Sequence, residues 1–425
     1  MISDSTQDNS TFELQSNSMN SNPDQNSIIY KFPTGVKILN KVLDSYDKKE
    51  LVAEQLMEQA QKKAGLTDFG DEFFIAPLKE VLKDVNENTP FHPMGAFLYH
   101  EKIKMNLVNR LWAQYWLKQD SSILKPLPPA LMITGLQRTG TTFLQRLLGS
   151  LPEFRGVISW EIVNPVPTSQ KKSYYGKYQA WLSLFALNYI NPELKSIHAV
   201  EYDSLDEEVV LMEHAFMSSV NEAAMTVPNY ARWLEQQDQT RAYQDLKMWL
   251  QFLLWRQPAD KFLLLKSPHH MEYLDSFMSV YPDTHVIQMH RSPEKTLASF
   301  CSMSTIAKKL FQTHVNPHEV GKHWLRKNKR LVDHCTRYRS KGEGSFTDIA
   351  YRDLIADPLA VARKIYEQLG LQWTEEHTTS AKAFFVNHKK NKFGKHAYSL
   401  EDYGLTESQV KGTFEEYRDT YQAYL

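Results

Sequence analysis

The stretch ALMITGLQRTGTTFLQRLL, residues 130–148, decides how the chain is read. Ala130 to Ile133 are a short continuous apolar run, as in a strand buried on both faces of a parallel sheet. A loop containing Gly135 and Gly140 follows, and a helix is expected over Thr141–Ser150. Strand, glycine loop and helix N-terminus together make an anion cradle. The glycines let backbone N–H groups converge, and the helix end favours negative charge. The frame G-x-x-x-x-G is that of a loop for nucleoside triphosphates, yet Thr141 stands where such loops carry lysine. Arg138 offers a guanidinium fork inside the loop, and Thr141 and Thr142 add hydroxyls. The ligand expected from these residues is a phosphate-like anion with no γ-phosphate and no obligatory metal.

The same pattern recurs along the chain. Phe262–Leu265 precedes a helix over His269–Val280, His285–Met289 precedes Pro293–Met303, and Ser345–Ala350 precedes Asp357–Leu369. A further strand is expected over Gly156–Ser159. Apolar strands alternating with helices predict an α/β fold: a P-loop-like parallel sheet flanked by helices, with functional residues at the C-terminal strand ends. Residues 1–28 are mostly Ser, Asn, Asp, Gln and Thr and predict a disordered tail. Residues 29–125 read as a helical N-terminal region, and Pro126, Pro128 and Pro129 mark the entry to the main domain at 126–425. Between about 165 and 258 the pattern changes to helices rich in aromatics, expected to cover the mouth of the sheet.

Lysine and arginine number 49 against 50 acids, a net charge of −1, which excludes a broad nucleic-acid footprint. The two cysteines, Cys301 and Cys335, fit a reducing compartment. The first residues lack the pattern of a secretory signal, and the apolar stretch Trp181–Ile190 is too short to span a bilayer. A cytoplasmic protein without a transmembrane segment is expected. HVNPHEVGKH supplies His314, His318 and His323, but the spacing after His318-Glu319 is one residue too long for a zinc helix, so no metal is expected.

Four positions complete the candidate chemistry. Lys266 ends the strand in LLLKSPHH, so its ammonium should emerge at the functional edge. Arg291 follows the strand HVIQMH, and Ser299 lies about two helical turns on. Arg291 and Ser299 could converge on one phosphate. Glu161, in SWEIVNPVP, stands beside Trp160, where partial desolvation would raise a carboxyl pKa and suit a general base.

GLQRTGTTFLQRLL, then WE with PVP, LLLKSPHH, HRSPEKTLAS and YRDLIADP, in this order, resemble the sulfotransferase family. They are most similar to the bacterial branch with an R-[ST]-G-T-T loop, related to tyrosylprotein sulfotransferases. GLTDFGDEFFIAPLKEVL near the N-terminus is similar to that branch too, so the resemblance spans roughly residues 35–405. It implies 3′-phosphoadenylyl sulfate as co-substrate. It implies that Arg138, Thr139, Gly140, Thr141 and Thr142 hold the 5′ phosphosulfate, and that Arg291 and Ser299 hold the 3′ phosphate. It further implies that Lys266 steadies the leaving group, that Tyr351 approaches the nucleotide, and that Glu161 is the base. The chain departs from the family at Ser292, where aspartate is frequent. It also lacks the full glycine-rich basic loop, for which Lys392, Gly394 and Lys395 are the candidates. Other branches use histidine as base, which keeps His198, His269 and His270 as rivals to Glu161. The insertion aromatics Tyr174, Tyr175, Trp181, Phe185, Phe216, Tyr230 and Trp233 are expected mostly in the core, some walling an apolar cleft, which favours a small hydrophobic alcohol or phenol as hydroxyl-bearing acceptor and leaves a glycan or peptide acceptor open. Two other functions stay open: a P-loop phosphotransferase, and a catalytically silent nucleotide-binding protein. Oligomeric state is open, and a dimer is compatible with the sequence.

Overall fold

The computed structural model describes residues 26–46, 49–170, 176–193, 201–258, 261–387 and 398–425. The strands are β1 (Ile28–Ile29), β2 (Ala130–Gly135), β3 (Phe154–Gly156), β4 (Phe262–Lys266), β5 (His285–His290), β6 (His314–Val315) and β7 (Ser345–Ala350). Five of them form one sheet in the order β3-β4-β2-β5-β7, and every pairing in it is parallel. The short pair β1–β6 is antiparallel and lies apart from that sheet.

Strand β2 is central and wholly buried. Its side chains alternate between two cores, as the two-residue period of a strand requires. Leu131 and Ile133 join Leu144, Leu264, Ile287, Ile349 and Ile365 on one face, whereas Ala130 and Met132 join the larger core on the other. That larger core runs from Leu51 to Tyr421, so the N-terminal helices share it with the rest of the chain. Register brings the strand ends level. Ile133 stands opposite Lys266, Gly135 opposite Met289, and His290 opposite Ala350. The anion loop, Lys266, Arg291 and Tyr351 therefore leave the sheet on one edge.

The N-terminal region contains α1 (Thr34–Val42), α2 (Ala53–Ala64), α3 (Ile75–Asn88) and α4 (Pro93–Gln119). Helix α2 ends at Gly65, whose φ of 67° supplies the left-handed stop. Helix α4 is tied to the insertion by polar contacts. Arg110 pairs with Asp245 at 3.0 Å, both side chains being almost fully buried. Asn109 donates to His214 Nε2 at 3.1 Å, and Trp116 Nε1 donates to Pro167 O at 2.9 Å. Helix α5 (Thr141–Leu148) follows the loop, α6 (Ser159–Val163) follows β3, and α7 (Gly176–Ile190) opens the insertion.

Two sequence expectations are corrected. The strand expected at Gly156–Ser159 lies earlier, at Phe154–Gly156, and Ser159 already begins α6. The cause is Glu161. Its carboxylate accepts the N–H of Ile158 at 3.0 Å and caps the helix it sits in. The helix expected over His269–Val280 is broken. Ser267 Oγ accepts the His269 N–H at 3.2 Å and stabilises a 3₁₀ turn at Pro268–Glu272, and the α-helix starts only at Leu274. Among the described residues, no helix is long and apolar enough to cross a membrane.

Candidate active site

The loop between β2 and α5 takes a conformation that its residues dictate. Gly135 has φ 141°, and a Cβ there would lie 2.5 Å from Met289 O. Gly140 has φ 90°, and a Cβ there would lie 3.0 Å from the Tyr351 ring. Arg138 takes a left-handed conformation at φ 68° although it is not glycine. Thr139 is fully buried, and its hydroxyl donates to Leu136 O at 2.7 Å, so it braces the loop from inside. Gln137, Arg138, Gly140, Thr141 and Thr142 line a cleft of about 770 Å³.

Arg291, Ser299 and Tyr351 line the same cleft. Arg138 Nε donates to Ser299 Oγ at 3.1 Å, and an Arg291 η nitrogen donates to Arg138 O at 2.8 Å. The Arg291 guanidinium lies 4.0 Å from the centre of the Tyr351 ring. The three strand ends are thus joined in one contact chain. Burial lowers the Arg138 pKa, and the neighbouring Arg291 charge pushes the same way. An anion placed here would offset both.

Lys266 is 1% exposed. Its Nζ lies 2.5 Å from Glu207 Oε1 and 3.4 Å from Thr142 Oγ1. Its backbone N–H donates to Glu208 Oε2 at 2.8 Å. The other oxygen of Glu208 holds His270 Nε2 at 2.6 Å, and His270 Nδ1 meets the Tyr243 hydroxyl at 2.9 Å. His270 is therefore spent in a buried chain behind Lys266 and does not line the cleft. Glu207 and Glu208 were missed in the sequence. Their signal was the acidic run Asp206-Glu207-Glu208 directly before the apolar residues Val209 to Met212.

The histidine that does line the cleft is His269, only 3% exposed. Its Nδ1 meets Ser219 Oγ at 3.1 Å, and its buried Nε2 has no hydrogen-bond partner among the described residues. Burial, with smaller pushes from His270 and Lys327, holds its pKa well below the usual imidazole range. The ring is neutral at pH 7, and Nδ1–H donating to Ser219 would leave a lone pair on Nε2.

Glu161 is placed differently from its expected role. One carboxylate oxygen pairs with Arg155 at 2.5 Å and the other caps Ile158, the side chain is 1% exposed, and it does not line the cleft. A pair at a helix start holds it where a base facing the donor was expected. His198, Lys392, Gly394 and Lys395 lie outside the described residues, as do Tyr174 and Tyr175. The three histidines of HVNPHEVGKH go separate ways: His314 to Thr313, His318 to Asn26, and His323 to Glu222.

Beyond His269 the cleft becomes apolar, with Val210, Ala223, Phe300, Met303, Trp324 and Leu331 in its walls. Among the described residues, Phe300 and Trp324 supply the aromatic part of that wall, and none of the insertion aromatics lines it. Of the insertion aromatics, Trp181 and Phe185 are exposed, Phe216 and Tyr230 are buried in the core, and Trp233 packs against it. Glu272 and Lys327 meet at 2.7 Å at the charged floor. Burial opposes the Lys327 charge, but Glu222, Glu272 and Glu235 outweigh it and carry its pKa up to about 12.

A parallel sheet with an anion loop that lacks the triphosphate lysine, and with cations at the neighbouring strand ends, defines a P-loop-like transferase. The chain belongs to the sulfotransferase family, whose model matches residues 129–375, more than half of its length. It is similar to sulfotransferase STF1 from Mycobacterium tuberculosis H37Rv at 28% identity and a TM-score of 0.72, over 86% of this chain and 99% of that one. It is similar also to sulfotransferase STF9 from Mycobacterium avium at 25% identity and a TM-score of 0.78, over 87% and 96% of the two chains. No curated protein is similar enough to match.

Proposed function

We propose that the protein moves the sulfuryl group of 3′-phosphoadenylyl sulfate to the hydroxyl of a small hydrophobic acceptor. The observation that carries this reading is the single contact chain from Arg138 to Ser299 and Arg291, beside a buried Lys266 that reaches Thr142. The donor carries a 5′ phosphate–sulfate anhydride and a separate 3′ phosphate, a charge of about −4. Arg138, Gly140, Thr141 and Thr142 hold the 5′ end, with Thr139 bracing the loop. Arg291 and Ser299 hold the 3′ phosphate, and Tyr351 packs under Arg291 beside the nucleotide.

The acceptor oxygen attacks sulfur in line. A new O–S bond forms while the bond from sulfur to the bridging oxygen breaks, and that electron pair leaves with adenosine 3′,5′-bisphosphate. Lys266 and Arg138 stabilise the charge on the departing phosphate, the kind of fixed electrostatics that lowers such barriers most. Among the described residues Glu207 and Thr142 engage two of the three ammonium N–H groups of Lys266, which stands behind Thr142 and does not itself line the cleft. The acceptor proton passes to His269, which lines the cleft and whose buried Nε2 has no hydrogen-bond partner among the described residues, whereas both oxygens of Glu161 are engaged. The apolar walls beyond His269 favour an acceptor with a hydrocarbon or aromatic body over a polyanion.

Melting curves test the donor class. Adenosine 3′,5′-bisphosphate is expected to raise Tm by several degrees, and ATP with magnesium much less. Greater stabilisation by ATP with magnesium would sink the reading. Transfer of labelled sulfate to a panel of phenols and aliphatic alcohols then separates an active enzyme from a silent nucleotide binder.

A further inference from the structure

Helix α7 displays a row of aromatic rings to solvent. Tyr178, Trp181, Phe185 and Tyr189 are 62%, 48%, 59% and 50% exposed, three or four residues apart. The first three stack in series. The Tyr178 and Trp181 centroids are 6.0 Å apart, and those of Trp181 and Phe185 are 5.8 Å apart. Leu182, 49% exposed, widens the face. Helix α1 abuts its end, since a Cβ on Gly35 would collide with the Tyr189 hydroxyl. Helix α1 adds Ile38 and Val42, 58% and 75% exposed. Scattered apolar groups on a surface are ordinary, but a contiguous face of this kind marks an interaction surface.

Charge selects the occupant. The two helices, TGVKILNKV and GKYQAWLSLFALNYI, carry Lys37, Lys41 and Lys177 and no aspartate or glutamate. This holds in a chain whose acids outnumber its lysines and arginines by 50 to 49. Tyrosine and tryptophan have apolar bodies and polar tips, the property that settles side chains at a lipid–water boundary. We propose that α7 and α1 together lie on an anionic bilayer surface, with the rings in the headgroup boundary and Lys37 and Lys41 over lipid phosphates. A second copy of the chain fits this face less well, because a twofold contact would set lysines against lysines.

The surface also borders the cleft. Asn191, just past α7, donates to Ile306 O at 2.6 Å, and Ile306 adjoins Ala307 in the cleft wall. A bilayer-bound amphiphilic alcohol would be presented there. That extension rests on the sulfuryl-transfer reading, whereas vesicle binding does not.

Co-sedimentation of the full chain with vesicles tests the proposal. The protein is expected to pellet with an equal mixture of phosphatidylcholine and phosphatidylglycerol, to be released by high salt, and to stay in solution with phosphatidylcholine alone. The double variant Trp181→Ser, Phe185→Ser should lose binding. Lys37→Glu and Lys41→Glu should each weaken it by about fivefold. The lysine positions are exposed, so these variants keep the test valid if the aromatic variant fails to melt cooperatively. Three results would overturn the proposal: no pelleting with anionic vesicles, variants that pellet like the parent, or a dimer that the aromatic variant turns into a monomer. An aromatic variant that no longer pellets yet still sulfates a vesicle-borne alcohol at the parent rate would overturn only the acceptor extension.

Discussion

Glu161, the base that the resemblance implies, and His269, one of its three rivals, are placed differently in space. His269→Gln is expected to lower labelled-sulfate transfer by about 10²- to 10⁴-fold, the usual weight of a general base, while the melting shift with adenosine 3′,5′-bisphosphate persists. Glu161→Gln should do the reverse. It weakens the Arg155 pair and the cap on Ile158, costing about 1–3 kcal/mol of stability, and transfer per folded molecule should stay near the parent value. Full transfer by His269→Gln would remove His269 as base. Arg138 is strained as well as useful. Its left-handed φ of 68° costs about 1–2 kcal/mol for a residue with a Cβ, and burial near Arg291 disfavours its charge. Arg138→Gly is therefore expected to melt higher than the parent without nucleotide and to lose the shift that the bisphosphate produces.

At the scale of elements, the strand–loop–helix unit at 130–148 was readable because its apolar run, glycines and helical period fall in sequence order. Gly140 is a constrained point of that unit, at its helix start. Gly140→Ala forces a Cβ into a φ of 90° and toward the Tyr351 ring, so Tm should fall and bisphosphate binding should weaken together. Lys266 and Arg291 were readable for the same reason, each ending an apolar strand. Glu207 and Glu208 were not, because nothing local tells an acid that its partner lies 59 or 58 residues away. Which histidine of Pro268-His269-His270 faces the cleft was equally hidden. A continuous helix was expected there, and the 3₁₀ turn that sends His269 outward and His270 inward follows from the Ser267 cap. The contacts of Glu161 with Arg155 and Ile158 were hidden, because a capping contact looks, in one dimension, like a carboxylate beside an aromatic.

Across the whole molecule, the N-terminal helices are fastened through buried polar contacts that the hydrophobic pattern does not announce. Asp245→Ala would leave Arg110 charged and buried, and it should cost about 3–5 kcal/mol, read as a fall in the urea midpoint. His214 adds a pH dependence. Burial, with Arg110 and Lys102 nearby, lowers its pKa from 6.5 to about 3, so the unfolded chain takes up a proton that the folded one refuses. Its folded pKa is depressed. Stability is therefore full above about pH 6.5 and is lost as pH falls toward 3. Melting curves from pH 7.5 to 5.5 should show Tm dropping with acid, and His214→Asn should flatten that slope.

The helix Pro293–Lys308 touches both ends of the cleft. It presents Ser299 on the donor side, and Phe300 and Met303 to the apolar wall. Under the proposed sulfuryl transfer, a change of acceptor preference made on this helix would disturb the grip on the nucleotide at the same time. Diversification of substrate range should accordingly run through Val210, Val220, Ala223 and Ala224, which border the acceptor space from another part of the chain and can vary while the donor chemistry is inherited unchanged.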